Sequence, residues 1–155
     1  MKVALVAHGD NPPYLKDLFN GEGFELIEKE CNNEREYVDL LKDADGALIY
    51  LHPLTTREVM KQCDNLKVIS RGGVGVDSVD LEAATELGIC ICNTPGINTT
   101  EVADHAMALL LSLTRKIREQ DSLVKKGYWA DRTELIHPYR SELGRIAGNI
   151  VGIIG

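Results

Sequence analysis

Short apolar segments alternate with helix-like segments along the first two thirds of the chain, and this alternation constrains the fold more than any other feature. Five apolar segments predict strands, at residues 2–7, 24–28, 45–50, 66–70 and 89–92. Helical spacing of apolar residues predicts helices at 14–19, 34–41, 55–62 and 80–87, the last with Asp80 as its N-cap and Gly88 just past its end. Strands that alternate with helices through short connections pair in parallel by right-handed crossovers. We therefore expect an α/β fold: a flavodoxin-like five-stranded parallel sheet with helices on both faces.

A longer helix is predicted after the fifth strand. Asn98 and Glu101 have the spacing of a capping box, and apolar residues recur at helical spacing from Val102 onward. The apolar stripe is wide, so we expect this helix to be buried on most sides. The pattern continues, with a bend, as far as Gly127, which suits a helix C-cap. Residues 128–148 lose this periodicity and predict an irregular arm whose aromatic side chains pack against another surface, of which a second subunit is one candidate.

The last stretch, residues 149–155, is again apolar and β-branched and ends in Gly155. It predicts the first strand of a dinucleotide-binding unit, in which such a strand leads into a glycine-rich turn that holds pyrophosphate. A buried parallel strand needs neighbours on both sides, and no further sequence supplies them. We therefore expect the front part of a longer protein. Residues 1–98 would be one domain, and residues 99–155 the connecting helix, the arm and the start of a second domain.

Charge and cysteine content limit the possible partners and compartment. The chain has 24 acidic and 17 basic side chains, a net charge of −7, which argues against nucleic acid and anionic membranes. No apolar run approaches the length of a membrane span. The four cysteines have no spacing typical of zinc sites, and no metal site is expected. We expect buried, reduced thiols in a cytoplasmic protein. The cysteines are Cys31, Cys63, Cys90 and Cys92.

A glycine-rich segment follows the fourth predicted strand, with the sequence Arg71-Gly-Gly-Val-Gly-Val-Asp. Consecutive main-chain amides in such a turn can form a concave anion site, and open α/β sheets bind ligands at the carboxyl ends of their strands. The segment is not a dinucleotide fingerprint, because Ser78 stands where the third glycine is required. Two interpretations remain open: an anion-binding turn and a plain tight turn.

Three motifs in order and spacing carry a family resemblance. They are Arg71-Gly-Gly-Val-Gly-Val-Asp-Ser-Val-Asp, Asn93-Thr-Pro-Gly-x-Asn98 and Val102-Ala-Asp-His-Ala. Together they resemble the NAD-dependent D-2-hydroxyacid dehydrogenases, a group that includes phosphoglycerate, glycerate, formate and D-lactate dehydrogenases. The resemblance implies hydride transfer between NAD(H) and a 2-hydroxy or 2-keto acid, with NADP not excluded. It also implies a homodimer formed through residues 100–148.

The resemblance also implies substrate contacts at particular positions. In the family, the amides of the glycine turn hold the substrate carboxylate, which here implicates Gly73, Val74 and Gly75. Residues after the third strand line the pocket, and Tyr50 and Leu51 stand there. Phosphoglycerate dehydrogenases usually place an arginine in that loop, so Tyr50 argues against a phosphorylated substrate.

Three further positions follow from the same resemblance. Asn98 matches a substrate-facing asparagine, Thr100 lies where the family approaches the nicotinamide, and Gly155 begins the cofactor fingerprint. The catalytic arginine, glutamate and histidine of the family belong to a later part of its chain and match nothing here. The chain alone is therefore expected to be inactive. The alternative hypothesis is a non-catalytic ligand-binding or interaction module on the same fold.

Overall fold

The computed structural model describes residues 1–7, 11–128 and 143–154, and its first 97 residues form a five-stranded sheet flanked by helices. The elements in chain order are β1 (Lys2–Val6), α1 (Tyr14–Gly21), β2 (Glu25–Lys29), α2 (Glu34–Leu41), β3 (Gly46–Ile49), α3 (Arg57–Met60), β4 (Val68–Arg71), α4 (Leu81–Leu87) and β5 (Cys90–Cys92). Every strand pair is parallel, in the order β2-β1-β3-β4-β5. The predicted flavodoxin-like sheet is confirmed.

Strand register brings the three loops that follow β3, β4 and β5 to the carboxyl end of the sheet. Ile49 at the end of β3 pairs with Arg71 at the end of β4, and Ser70 pairs with Cys92 at the end of β5. The segments that follow these strands therefore leave the sheet side by side. Tyr50, the glycine-rich segment and Asn93 lie at this carboxyl end of the sheet.

The core lies between the sheet and helices α2, α3 and α4. Its largest fully buried apolar side chains are Tyr37, Leu41, Ile49, Val59, Met60 and Ile69. One polar pair lies among them: the Tyr37 hydroxyl is 2.7 Å from Thr55 Oγ1. Each hydroxyl therefore has a hydrogen-bond partner inside the core, which offsets most of the free-energy cost of removing it from water.

Side-chain caps set where three helices begin. Asn33 Oδ1 accepts a hydrogen bond from the Glu36 amide at 2.9 Å, and Asp80 Oδ1 accepts one from the Ala83 amide at the same distance. Thr56 caps α3. Gly88 ends α4 with φ 71°, the left-handed conformation typical of a C-cap glycine. The predicted caps at Asp80 and Gly88 are confirmed.

The cysteines depart from the predicted burial. Cys63 is buried and Cys31 is half-buried, but Cys90 and Cys92 are both exposed. They alternate along β5, which is an edge strand, and so share one of its faces. The prediction of buried thiols is wrong for this pair, because no described element covers that face of β5.

A second compact unit begins at Asn98. It contains α5 (Thr99–Thr114) and α6 (Ile117–Lys125), and the predicted bend lies at Lys116, which has φ 50°. Two expectations for α5 are wrong. None of its residues is buried, because the described residues near its apolar stripe, which include Ile146 and Val151, cover it only in part. Asn98 stands at the N-cap but makes no capping bond, since its backbone is not in the extended conformation that aims a capping side chain at the helix amides.

Residues 149–154 form no strand in this structure, contrary to the sequence prediction. Ile150 and Ile154 are fully exposed. A strand is unstable without hydrogen-bonded neighbours, and the described chain offers residues 149–154 no neighbouring strand. The predicted role of this segment as the start of a second domain stays a prediction, and Gly155 lies outside the described residues.

Candidate functional site

The glycine turn, residues 72–76, leaves two adjacent main-chain amides unused. The Gly72 N–H donates to the Ile49 carbonyl at 2.8 Å, and the Gly73 N–H donates to the Arg71 carbonyl at 2.9 Å. The N–H groups of Val74 and Gly75 donate to no acceptor in the described part of the chain. Of the three predicted turn residues, therefore, Val74 and Gly75 offer amides to a ligand, whereas the Gly73 amide is engaged.

Arg71 brings a buried positive charge against the turn. The residue is only 9% exposed, and no described carboxylate lies within ion-pair distance of it. Its Nε has no hydrogen-bond partner among the described residues. A charged side chain in such a place is costly unless something compensates it. The arrangement thus suits an anion bound at the turn.

The backbone conformation of Gly73 requires a glycine, and the Arg71 side chain lies directly against it. Gly73 has φ 148°, a conformation that residues with a side chain rarely adopt, and a Cβ there would overlap the guanidinium group, with Cζ only 2.7 Å away. Sequence reasoning assigned Arg71 no role of its own. The available signal was a charged residue at the end of a buried strand, directly followed by glycines.

Tyr50 lies against the first residue of the turn. A Cβ on Gly72 would come within 2.8 Å of Tyr50 Cε1, so the ring packs directly on the glycine backbone. The Tyr50 hydroxyl donates to Asn11 Oδ1 at 3.2 Å, and Asn11 Nδ2 donates to Glu28 Oε1 at 3.0 Å. The Asn11 bond and, next, Lys16 hold the pKa of Glu28 below its ordinary value. These contacts fix the ring at the edge of the candidate site, while the neighbouring Leu51 is 56% exposed.

One negative charge opposes anion binding at the turn. Asp77 Oδ2 lies 3.0 Å from the position that a Cβ on Gly75 would take. Asp77 is exposed, so water screens its carboxylate, whereas Arg71 is buried and is screened much less. Burial therefore preserves more of the electrostatic effect of Arg71 than exposure leaves to Asp77.

The segment after β5 bonds to the carbonyl groups of the turn. The Thr94 N–H donates to the Gly73 carbonyl at 3.0 Å, and Asn93 Nδ2 donates to the Val74 carbonyl at 2.8 Å. Sequence reasoning quoted Asn93 as part of a motif but gave it no role, because no spacing rule connects it with a turn 19 residues earlier.

The other predicted site residues belong to the second unit. Asn98 stands at the N-cap of α5, and Thr100 lies in its first turn, both exposed. Gly155 is outside the described residues. No group of three metal-ligating side chains occurs among residues 1–7, 11–128 and 143–154.

A family model matches residues 3–136, most of the chain; its description is "D-isomer specific 2-hydroxyacid dehydrogenase, catalytic domain". The chain belongs to this family. Among its dehydrogenase relatives, the D-3-phosphoglycerate dehydrogenase of Archaeoglobus fulgidus is 37% identical over 113 residues, which are 73% of this chain and 21% of the relative. The glyoxylate reductase of Pyrococcus furiosus is 33% identical over 132 residues, 84% of this chain and 39% of the relative.

Solved dehydrogenase structures share the fold. The NAD-dependent formate dehydrogenase of Staphylococcus aureus in complex with NAD has a TM-score of 0.73 and 29% identity, over 92% of this chain and 46% of that chain. An acyclic imino acid reductase in complex with NADPH and D-Arg has a TM-score of 0.73 and 26% identity, over 82% and 41%. The chain thus spans less than half the length of each dehydrogenase and reductase named here. No described helix is long and apolar enough to cross a membrane.

Proposed function

We propose that this chain supplies the substrate-carboxylate site of a D-2-hydroxyacid dehydrogenase, a protein that transfers hydride between NAD(H) and a 2-hydroxy or 2-keto acid. The observation that carries the proposal is the pairing of two adjacent amides, at Val74 and Gly75, with the buried guanidinium of Arg71. Within the described ranges, these amides have no acceptor and the guanidinium has no carboxylate partner. A carboxylate accepts several hydrogen bonds at once, and N–H donors at fixed positions bind it more strongly than they bind a neutral group.

The substrate class follows from what surrounds the amides. We propose a small 2-keto or 2-hydroxy acid without a phosphate group. In support, Arg71 is the one buried cation of the described turn, and the substrate carboxylate would engage it. The side chain that packs on Gly72, at the start of the turn, is the uncharged ring of Tyr50. A phosphate would need further cations, because burying two more negative charges is costly unless they are paired.

The cofactor proposed is NAD, with NADP as the alternative. Support comes from two similar structures, which are complexes with NAD and with NADPH. The described residues do not make up a dinucleotide site by themselves, since Thr100 is the one described candidate. Nicotinamide supplies or accepts the hydride when bound, and the proposal assigns only the substrate side of the reaction to this chain.

We also propose a cytoplasmic homodimer, formed through residues 100–148. Apolar side chains on α5 and α6 are exposed, including Met107, Leu109, Leu113 and Val124, and such surfaces usually mark an interface. All four cysteines are free thiols, which is typical of a reducing compartment.

Binding at the turn can be tested on the chain by NMR. The ¹⁵N-labelled protein would be titrated with glyoxylate, and we expect the largest shifts at the Val74 and Gly75 amides. Arg71→Gln should weaken binding about tenfold, because it replaces a charge-assisted contact by a neutral one. Arg35→Ala, which removes an exposed arginine on α2, is the matched control and should change nothing.

Shifts confined to other regions, or equal affinity in Arg71→Gln, would remove the turn from the site. Catalysis needs a separate check: the chain mixed with NADH and 2-keto acids should leave the NADH absorbance unchanged, because no general acid–base pair is assigned to it. Turnover above the blank would contradict this division of roles.

A further inference from the structure

We propose that Asn93 is a positioning residue for the glycine turn: with the main chain of Thr94, it holds two successive peptide groups so that the Val74 and Gly75 N–H groups face the ligand. This inference rests on the proposed function and deepens it. It assigns a role to a residue outside the turn that touches no substrate.

The planar peptide group links the direction of each carbonyl to that of the next N–H. In a trans peptide the C=O and the N–H of the same unit point in opposite directions. The Gly73 carbonyl accepts a hydrogen bond from the Thr94 N–H at 3.0 Å, so the Val74 N–H, in the same peptide, points away from the segment after β5. The Val74 carbonyl accepts from Asn93 Nδ2 at 2.8 Å, so the Gly75 N–H also points away from Asn93. Asn93 and Thr94 thus orient the N–H groups of Val74 and Gly75.

Little else restrains these two peptides. Val74 is 45% exposed and Gly75 is exposed, so side-chain packing does not fix them. Gly75 lacks a Cβ and has wide conformational freedom. Ordering a residue on binding costs conformational entropy. Bonds that already exist in the unliganded protein reduce this cost, which is how preorganisation raises affinity.

The chemistry explains why an amide side chain stands here. The Val74 carbonyl needs a donor, which Asn93 supplies through Nδ2. An aspartate of the same shape offers only acceptors when ionised and would repel both the carbonyl and a nearby carboxylate ligand. Asn93 is exposed, so its replacement leaves no cavity in the core.

The test uses ¹⁵N NMR on the 155-residue chain and on two variants, Asn93→Ala and Asn93→Asp. The first readout needs no ligand: backbone order parameters at Val74 and Gly75 should fall in both variants while those of β4 and β5 stay unchanged. The second readout is glyoxylate affinity, which should drop about fivefold in Asn93→Ala and further in Asn93→Asp. Asn65→Ala, at an exposed asparagine before β4, is the matched control and should match the parent in both.

The two readouts separate the two proposals. Unchanged order parameters at Val74 and Gly75 in both variants would overturn the role of Asn93, whatever the affinity. A parent chain that shows no glyoxylate shifts, with order lost in the variants, would support the positioning role and reject the turn as a carboxylate site. Loss of the dispersed sheet spectrum in both variants would instead make Asn93 a folding residue and overturn the inference.

Discussion

At the scale of single residues, the candidate site depends on where charges lie relative to two amides. Arg71 is buried and attracts an anion, while Asp77 is exposed and repels one. The family resemblance predicted Val74 and Gly75 as substrate-binding residues, whereas consecutive amides after a parallel strand left an anion-binding turn and a plain tight turn both open. Arg71 and Asn93 could not be assigned roles in this way. Their roles depend on contacts with Gly73 and Val74 that only folding creates.

Removing the charge of Asp77 should strengthen ligand binding. In Asp77→Asn, the carboxylate next to Gly75 becomes neutral, so we expect glyoxylate to bind roughly two- to fivefold more tightly, and the gain to shrink at high salt. NMR titration of the Gly75 amide measures it. Asp64→Asn, at an exposed aspartate before β4, serves as the control, and weaker binding in Asp77→Asn would contradict the electrostatic argument.

The buried Tyr37 hydroxyl should make stability depend on pH at the alkaline end. Burial raises the pKa of Tyr37 to about 12 from 10.0, so the folded state holds this proton more tightly than the unfolded state. Its contribution is complete below pH 10 and is lost as the pH rises from 10 towards 12. Denaturant titrations across that range should show the loss.

Tyr37→Phe tests the same group directly. The variant should be about 1–2 kcal/mol less stable at neutral pH, because Thr55 Oγ1 would be left without its buried partner. It should also lack the alkaline loss assigned to Tyr37. Identical alkaline curves for parent and variant would show that other groups cause the decline.

At the scale of helices and strands, capping residues determine where a helix begins, and the position of a strand in the sheet determines how exposed its side chains are. Asp80 was predicted to begin α4 and does so, because the signal is local: an aspartate followed by a helical stripe. The burial of β5 and α5 was predicted incorrectly, because an apolar pattern says that a face prefers cover without saying that cover is present. Sequence patterns therefore located the helices and strands better than their exposure.

Asp80→Ala should cost about 1 kcal/mol of unfolding free energy, because the Ala83 amide loses its capping acceptor. Chemical denaturation measures the change. Asp64→Ala removes an aspartate that caps no helix and should stay within experimental error of the parent. Equal stabilities for the two variants would show that Asp80 does not contribute as a cap.

Thiol reactivity should follow position in the sheet. Burial raises the pKa of the Cys63 thiol to about 11, so few Cys63 thiolates exist at pH values near 8. The hydrogen bond between the Cys92 and Cys90 thiols raises the pKa of Cys92 as well, but both thiols are exposed. Mass spectrometry after brief alkylation should find Cys90 labelled before Cys63. Early labelling of Cys63 would show that the core opens readily.

At the scale of the whole molecule, the two units differ in what stabilises them. Every residue of the core cluster belongs to residues 1–97, whereas α5 and α6 bury no residue. The parallel sheet and its strand order could be predicted because alternation and handedness leave few topologies. Whether residues 149–154 form a strand could not be predicted, because a strand depends on partner strands that its own sequence does not specify.

A chain ended after Ile97 should therefore keep its fold. Its thermal midpoint should lie within a few degrees of that of the 155-residue chain, since the buried apolar surface that drives folding is retained. Calorimetry of both chains makes the comparison, with sheet amide shifts as the check on structure. A midpoint lower by tens of degrees would mean that the later residues stabilise the sheet.

The way the turn is held has a practical use in protein engineering. Val74 contributes its main chain to the candidate site, and bonds from Asn93 and Thr94 anchor that main chain from outside. Its side chain, half in solvent, carries none of this anchoring. Position 74 can therefore be randomised in a library to vary the surface beside the two amides, while the bonds from Asn93 and Thr94 keep the main chain in place.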